Sequence, residues 1–127
     1  MPELRESKQY KIAYETLQPL LVEFNLSEEE LNSYITILID SITERIESTN
    51  KIPSYAFAMN INLPILYEYN EEQFLEVMCD FDPIEEHIPE IIVDSSFLIP
   101  SSASGRLNLT TGEHDCIVSW REYFISD

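Results

Sequence analysis

Asn70-Glu71-Glu72-Gln73-Phe74-Leu75-Glu76-Val77-Met78-Cys79-Asp80-Phe81-Asp82 lies in the most one-sided part of the chain. Asn70 is a helix N-cap candidate, and the acids after it suit the positive end of a helix dipole. Phe74, Leu75, Val77, Met78 and Phe81 supply an apolar side, while Glu72, Gln73, Glu76 and Asp80 stay wet. The segment is therefore expected to form a short central helix, closed by Asp82-Pro83 because proline cannot continue it.

The neighbourhood shows why this segment matters. From Ile52 to Gly105 there is no lysine or arginine. The same stretch holds Glu68, Glu71, Glu72, Glu76, Asp80, Asp82, Glu85, Glu86, Glu90 and Asp94. The whole chain is formally −17 at pH 7. A compact state must form against that self-repulsion. Two of the acids, Asp80 and Asp82, would oppose the dipole at the C-terminal end of the expected helix, so local stability does not explain them.

Upstream, Tyr10, Ala13, Tyr14, Leu17, Leu20, Leu21 and Phe24 recur at steps of three and four, one stripe of a helix. Pro19 predicts a kink or break near Gln18. Ser27-Glu28-Glu29-Glu30 is a capping box and opens a second helix over about Glu28–Ser48. Leu31, Tyr34, Ile35, Leu38, Ile42 and Ile46 form its stripe. Asn50-Lys51-Ile52-Pro53 ends it. From Ser54 to Ile65 the period falls to two. Tyr55, Phe57, Met59, Ile61, Leu63 and Ile65 alternate with small or polar residues, which predicts a strand that Pro64 ends or places on an edge.

Downstream, Pro83–Pro89 reads as irregular. Ile91-Ile92-Val93 and Phe97-Leu98-Ile99 read as strand pieces. Pro100–Gly105 reads as a mobile loop of small residues. Leu107–Thr110 and Cys116–Tyr123 form a final strand pair around the turn Thr111–Asp115. The order gives an α+β class: two N-terminal helices and one short central helix packed on a mostly antiparallel sheet. A length of 127 residues fits a single domain, 1–127.

Composition removes several functions. Hydrophobic residues at 44% argue for a folded core despite the charge. Seven basic residues among 24 acids cannot make the basic face that direct nucleic-acid binding needs. No unbroken apolar run, Ile37-Leu38-Ile39 among them, comes near the length of a membrane span, and the charged N-terminus lacks a signal core. The expectation is a cytoplasmic protein, monomeric when free, with Cys79 and Cys116 as reduced core thiols.

No motif names a reaction. Asp80, Asp82, Glu85, Glu86 and His87 cluster, but Pro83 and the lack of a glycine break calcium-loop spacing, and a solvated acidic loop accounts for them. His87 and His114 stand apart, so neither completes a zinc site. Glu113-His114-Asp115 is a polar hairpin tip before it is a proton-transfer site. No enzyme, metal or cofactor is expected.

What remains is binding to a basic protein, with Tyr67, Tyr69, Glu68, Glu71, Glu72, Glu76, Asp80, Asp82, Glu85 and Glu86 as the candidate surface. Trp120 is expected in the core. In size, acidity and lack of catalytic motifs the chain resembles the small bacterial immunity proteins that neutralise nuclease toxins. It also resembles acidic phage inhibitors that imitate nucleic acid. The resemblance is one of composition and assigns no residue a role. It implies an inhibitor that occludes the cleft of a basic toxin. The alternatives are a nucleic-acid mimic that blocks a DNA-binding defence complex, or an enzyme or adaptor.

Overall fold

The computed structural model describes residues 8–49, 54–88 and 96–124. Two helices lie against one antiparallel sheet. Helix α1 spans Lys8–Glu23 and helix α2 spans Glu28–Thr49. The strands are β1 (Phe57–Ile61), β2 (Ile65–Tyr69), β3 (Glu72–Pro83), β4 (Ser96–Asn108) and β5 (His114–Phe124). Short 3₁₀ turns at Ser54–Ala56 and Glu85–His87 precede β1 and follow β3. All pairings are antiparallel, β3 with β4 and β4 with β5. β1 pairs with the last residues of β3 and β2 with its first, so the two lie end to end along one edge. The class is α+β.

The second helix forms as its sequence dictates. Ser27 Oγ accepts from the Glu30 amide at 3.1 Å, and Glu30 accepts from the Ser27 amide at 3.4 Å, closing the capping box. Leu31, Ile35, Leu38, Ile39, Ile42 and Ile46 are buried. Each such side chain contributes about 1.5–3 kcal/mol on burial. Helix α1 runs unbroken through Pro19. Glu15 and Pro19 are both exposed, so water can satisfy the carbonyl that proline leaves without a donor.

The expected central helix is not there. Residues 72–83 form β3, the strand on which the whole sheet is centred. Leu75, Val77, Cys79 and Phe81 are buried against the helices, while Met78, Asp80 and Asp82 are exposed. The residues read as one helical stripe divide between two faces: Leu75, Val77 and Phe81 lie in the core, and Phe74 and Met78 lie on the opposite face. A spacing of four, as in Glu72, Glu76 and Asp80, satisfies both a 3.6 and a 2.0 period. The alternation from Phe74 to Asp82 satisfies only the second. Asn70 is not a cap. With Glu71 it makes a two-residue hairpin turn, at φ 51° and 65°. Paired left-handed residues are the type I′ signature that matches strand twist. The dipole account of Asp80 and Asp82 falls with the helix.

Two further expectations change. Ser54–Ile65 is not one strand: β1 and β2 are separated at Asn62-Leu63-Pro64, with Pro64 buried at the break. Phe57 and Ile61 do face the core. Pro100–Gly105 is not a loop but part of β4, and Ser102–Gly105 is paired on both sides. A register shift between Pro100 and Ser102 accommodates the proline. Ala103 and Gly105 are buried on the helix side, and α2 passes directly over Gly105. A Cβ built on Gly105 would meet Ile42 Cδ1 at 3.2 Å and Leu38 Cβ at 3.4 Å. The segment Ile91-Ile92-Val93 lies outside the described residues. The final hairpin forms, but its turn lies at 109–113, two residues earlier than expected, and His114 and Asp115 belong to β5. Asn108 Oδ1 accepts from the amides of Thr110 and Thr111, and Gly112 takes φ 82°. Trp120 packs, half-buried, against the core. Among the described residues no helix is long and apolar enough to cross a membrane.

Gly105→Val should lower the unfolding free energy by roughly 2–3 kcal/mol in urea titration, because overpacking pushes α2 off β4. Wild-type stability in that variant would show that α2 does not depend on the gap. Glu71→Gly should raise stability by about 0.5–1 kcal/mol by relieving a left-handed non-glycine residue. A lower urea midpoint would contradict the turn geometry.

Candidate interaction face

An antiparallel sheet covered on one side leaves the other to solvent. Here the helices take one face and the even-numbered side chains of β3 take the other. Register places Tyr67 beside Phe74, Ile65 beside Glu76, and Asn60 beside Asp80 on that open face. From β4 and β5 come Asn108, Arg106, Ser104 and Ser102, opposite Asp115, Ile117 and Ser119.

The face has two halves. At the hairpin end, Tyr67 stacks on Phe74 with centroids 5.3 Å apart. Arg106 lies over the same ring at 6.0 Å and reaches Glu76 at 3.8 Å. That ion pair is wet and adds little stability. The Asn108 side chain donates to Glu72 at 3.1 Å. Met78, Ser104 and Ile117 form a row across three strands, with Met78 43% and Ile117 68% exposed. Ile65 is 45% exposed beside them.

The other half is polar. Asn60 donates to Asp82 at 2.8 Å and Asn62 to Asp80 at 2.9 Å. Each amide fixes one carboxylate oxygen and leaves the other available. Asp80 and Asp82 stand about 7 Å apart, two strand rises. They line an open groove of about 630 Å³ with Asn60, Asn62, Ser101 and Arg121. The Arg121 guanidinium donates to the Phe81 carbonyl at 3.5 Å.

The ten residues expected to bind a partner therefore divide. Tyr67, Tyr69, Glu72, Glu76, Asp80 and Asp82 share the open face. Glu68 points from β2 to the opposite side, opposite Gln73. Glu71 is at the tip of the hairpin turn. Glu85 and Glu86 sit in the 3₁₀ turn after β3. Glu85 accepts a 2.6 Å bond from Tyr123 Oη, which raises the Tyr123 phenol above its usual value, with burial adding to it. His87 meets the Tyr55 carbonyl at 2.9 Å through Nδ1 and packs edge-on to its ring. Reading the sequence as a helix missed the uncharged members of the face: Ile65, Phe74, Met78, Ile117, Asn60 and Asn62. The alternation after Phe74 would have found those on β3.

Two other groups carry chemistry. His114 Nδ1 and Ser41 Oγ lie 3.3 Å apart, joining β5 to α2. Cys116 Sγ lies 3.6 Å from the Ser41 carbonyl. Both cysteines are free thiols. Among the described residues no three His, Cys, Asp or Glu side chains converge as a metal site would require. Burial pushes the Cys79 thiol from its ordinary 9.0 up to about 12, and the adjacent Asp80 carboxylate adds to the shift.

Comparisons with family models, with curated proteins and with solved structures find no match to this chain.

The raised Cys79 value sets a pH dependence. The folded state holds the thiol protonated more tightly than the unfolded state does. The stability from this group is present in full below pH 9 and is lost as pH rises from 9 towards 12. The unfolding free energy of the wild type should fall more steeply over that range than that of Cys79→Val. Parallel curves would exclude the linkage. In the folded protein a thiol reagent at pH 8 should modify the half-buried Cys116 and leave Cys79 until unfolding. Early loss of both thiols would overturn the order.

Proposed function

We propose that this chain is a small inhibitory binding protein that sets the open face of its sheet against a basic protein surface. In its most concrete form it is an immunity protein that neutralises a basic toxin, a nuclease, by filling the cleft where substrate phosphates would sit. The observation that carries this reading is the joint placement on one face of four carboxylates with exposed Ile65, Met78 and Ile117. Carboxylates alone speed encounter but give little affinity. An apolar centre that excludes water is what holds a complex. Here both occur together, outside the helix-packed core.

The nucleic-acid mimic reading fits the face less well. A mimic presents two rows of negative charge, as a duplex does. The described face carries one row, along β3, and β4 beside it contributes Ser102, Ser104 and Arg106. A single row bordered by apolar side chains suits one cleft of one partner. Asp80 and Asp82, each oriented by an asparagine, are the pair best set to receive a guanidinium or ammonium group.

The test uses the product of the gene adjacent to this one. Expression of that product alone should arrest growth, and co-expression with this chain should restore it. Met78→Arg and Asp80→Lys should abolish protection and weaken complex formation at least ~100-fold, as loss of a central anchor or a desolvated charge does. Asp40→Lys and Glu47→Lys, at exposed positions on α2, make the same charge change as Asp80→Lys and should leave protection intact. Equal loss from the α2 variants would mean that net charge, not this face, does the binding. A harmless neighbour that forms no complex would remove the immunity reading.

A further inference from the structure

The two edges of the sheet are built differently. One is broken: β1 and β2 are five residues each and are interrupted at Pro64. Short strands and proline keep an edge from recruiting other chains. The other edge is β5, eleven continuous residues paired with β4 on one side, and among the described residues no strand pairs with its other side. Its centre, Cys116-Ile117-Val118-Ser119-Trp120, carries no charge and is rich in strand-forming residues.

Ladder alternation identifies the groups that are open. The Asn108 amide donates to the Glu113 carbonyl across the turn, and the Leu109 amide donates to Gln73 on the opposite side. Even-numbered residues of β4 before the turn therefore bond to β5. Their partners Asp115, Ile117 and Ser119 point their amides and carbonyls at β4. The amides and carbonyls of Cys116 and Val118 point away from the sheet.

We propose that this free edge takes an extended, basic strand of a partner protein, added antiparallel or parallel to β5. Charge decides the occupant. A second copy would bring two chains of formal charge −17 together along the edge. A basic strand relieves that repulsion. Space exists beside it: α2 and the start of β5 bound a groove of about 670 Å³, lined by Glu44, Asp115, Arg45 and the hydroxyl-bearing Ser41 and Ser48. Alternate side chains of an added strand would enter this groove and the rest would extend the open face. The proposal does not depend on the open face being an interface, since edge and face are read by different groups.

The probe is a synthetic peptide of alternating lysine and valine, Lys-Val-Lys-Val-Lys-Val-Lys. Amide hydrogen exchange of the full chain is followed by NMR with and without it. The peptide should slow exchange at the Cys116 and Val118 amides at least ~10-fold, since each gains an acceptor. The Glu-Val analogue and heptalysine should not. Val118→Pro removes an outward amide and leaves the β4 ladder intact, so it should bind the peptide ~10-fold more weakly. Val118→Ala keeps that amide and should bind as the wild type does. If Val118→Pro does not fold, the wild-type exchange pattern decides by itself. Unchanged exchange at both amides, equal slowing by heptalysine, or slowing that rises with protein concentration before peptide is added would each overturn the proposal. The last would assign the edge to a second copy.

Discussion

Helix α2 can cover the sheet because β4 has almost no side chain where the two cross. Gly105 faces Leu38 and Ile42 at contact distance, and Ala103 beside it is buried. A larger residue there would lift the helix and open the core that Leu75, Val77 and Cys79 complete from β3. Interiors tolerate little change in volume, so this gap fixes which side of the sheet is covered. Every other feature of the face follows from that choice.

Once α2 occupies one side, β3 has no freedom in how it presents its residues. A slip of one position would put Asp80 and Asp82 into the core and Cys79 and Phe81 into water. The cost of burying unpaired carboxylates makes that register unavailable. The acids are thus held to the open side by the same contact that buries the odd-numbered residues. Cross-strand neighbours then moderate their repulsion. Asn60, Asn62 and Asn108 donate to Asp82, Asp80 and Glu72, and Arg106 stands by Glu76. A protein with this much negative charge keeps its sheet by giving each carboxylate of the row a donor.

How much could be read beforehand varied with the kind of signal. The capping box at Ser27-Glu30 and the stripe from Leu31 to Ile46 were legible because both arise within a few residues of chain. The last hairpin was legible from the turn residues Thr111–Asp115 for the same reason, although the turn itself lies two residues earlier. The Glu72–Asp80 segment was misread because acids four apart fit helix and strand alike, and because Asn70-Glu71 serves as either a cap or a turn. Pro100–Gly105 was misread because smallness is a loop signal locally and a packing signal only when a helix lies above it. Of the candidate surface, the charges were legible and the apolar partners were not. Exposure of Ile65, Met78 and Ile117 depends on which face the helices cover.

The sequence by itself determined the α+β class, the span of α2, the sign of the surface and the absence of a recognisable reaction motif. These are local or summed properties, and they need no knowledge of what lies across the fold. The tertiary structure alone decided that residues 72–83 are a strand and that four of their acids share a face with exposed apolar side chains. It also decided that β5 is a long edge strand, with no second partner strand among the described residues. The physical reason is the same in each case. A strand's hydrogen bonds go to residues far along the chain, so its identity, register and edge status are settled by partners that its own sequence does not contain.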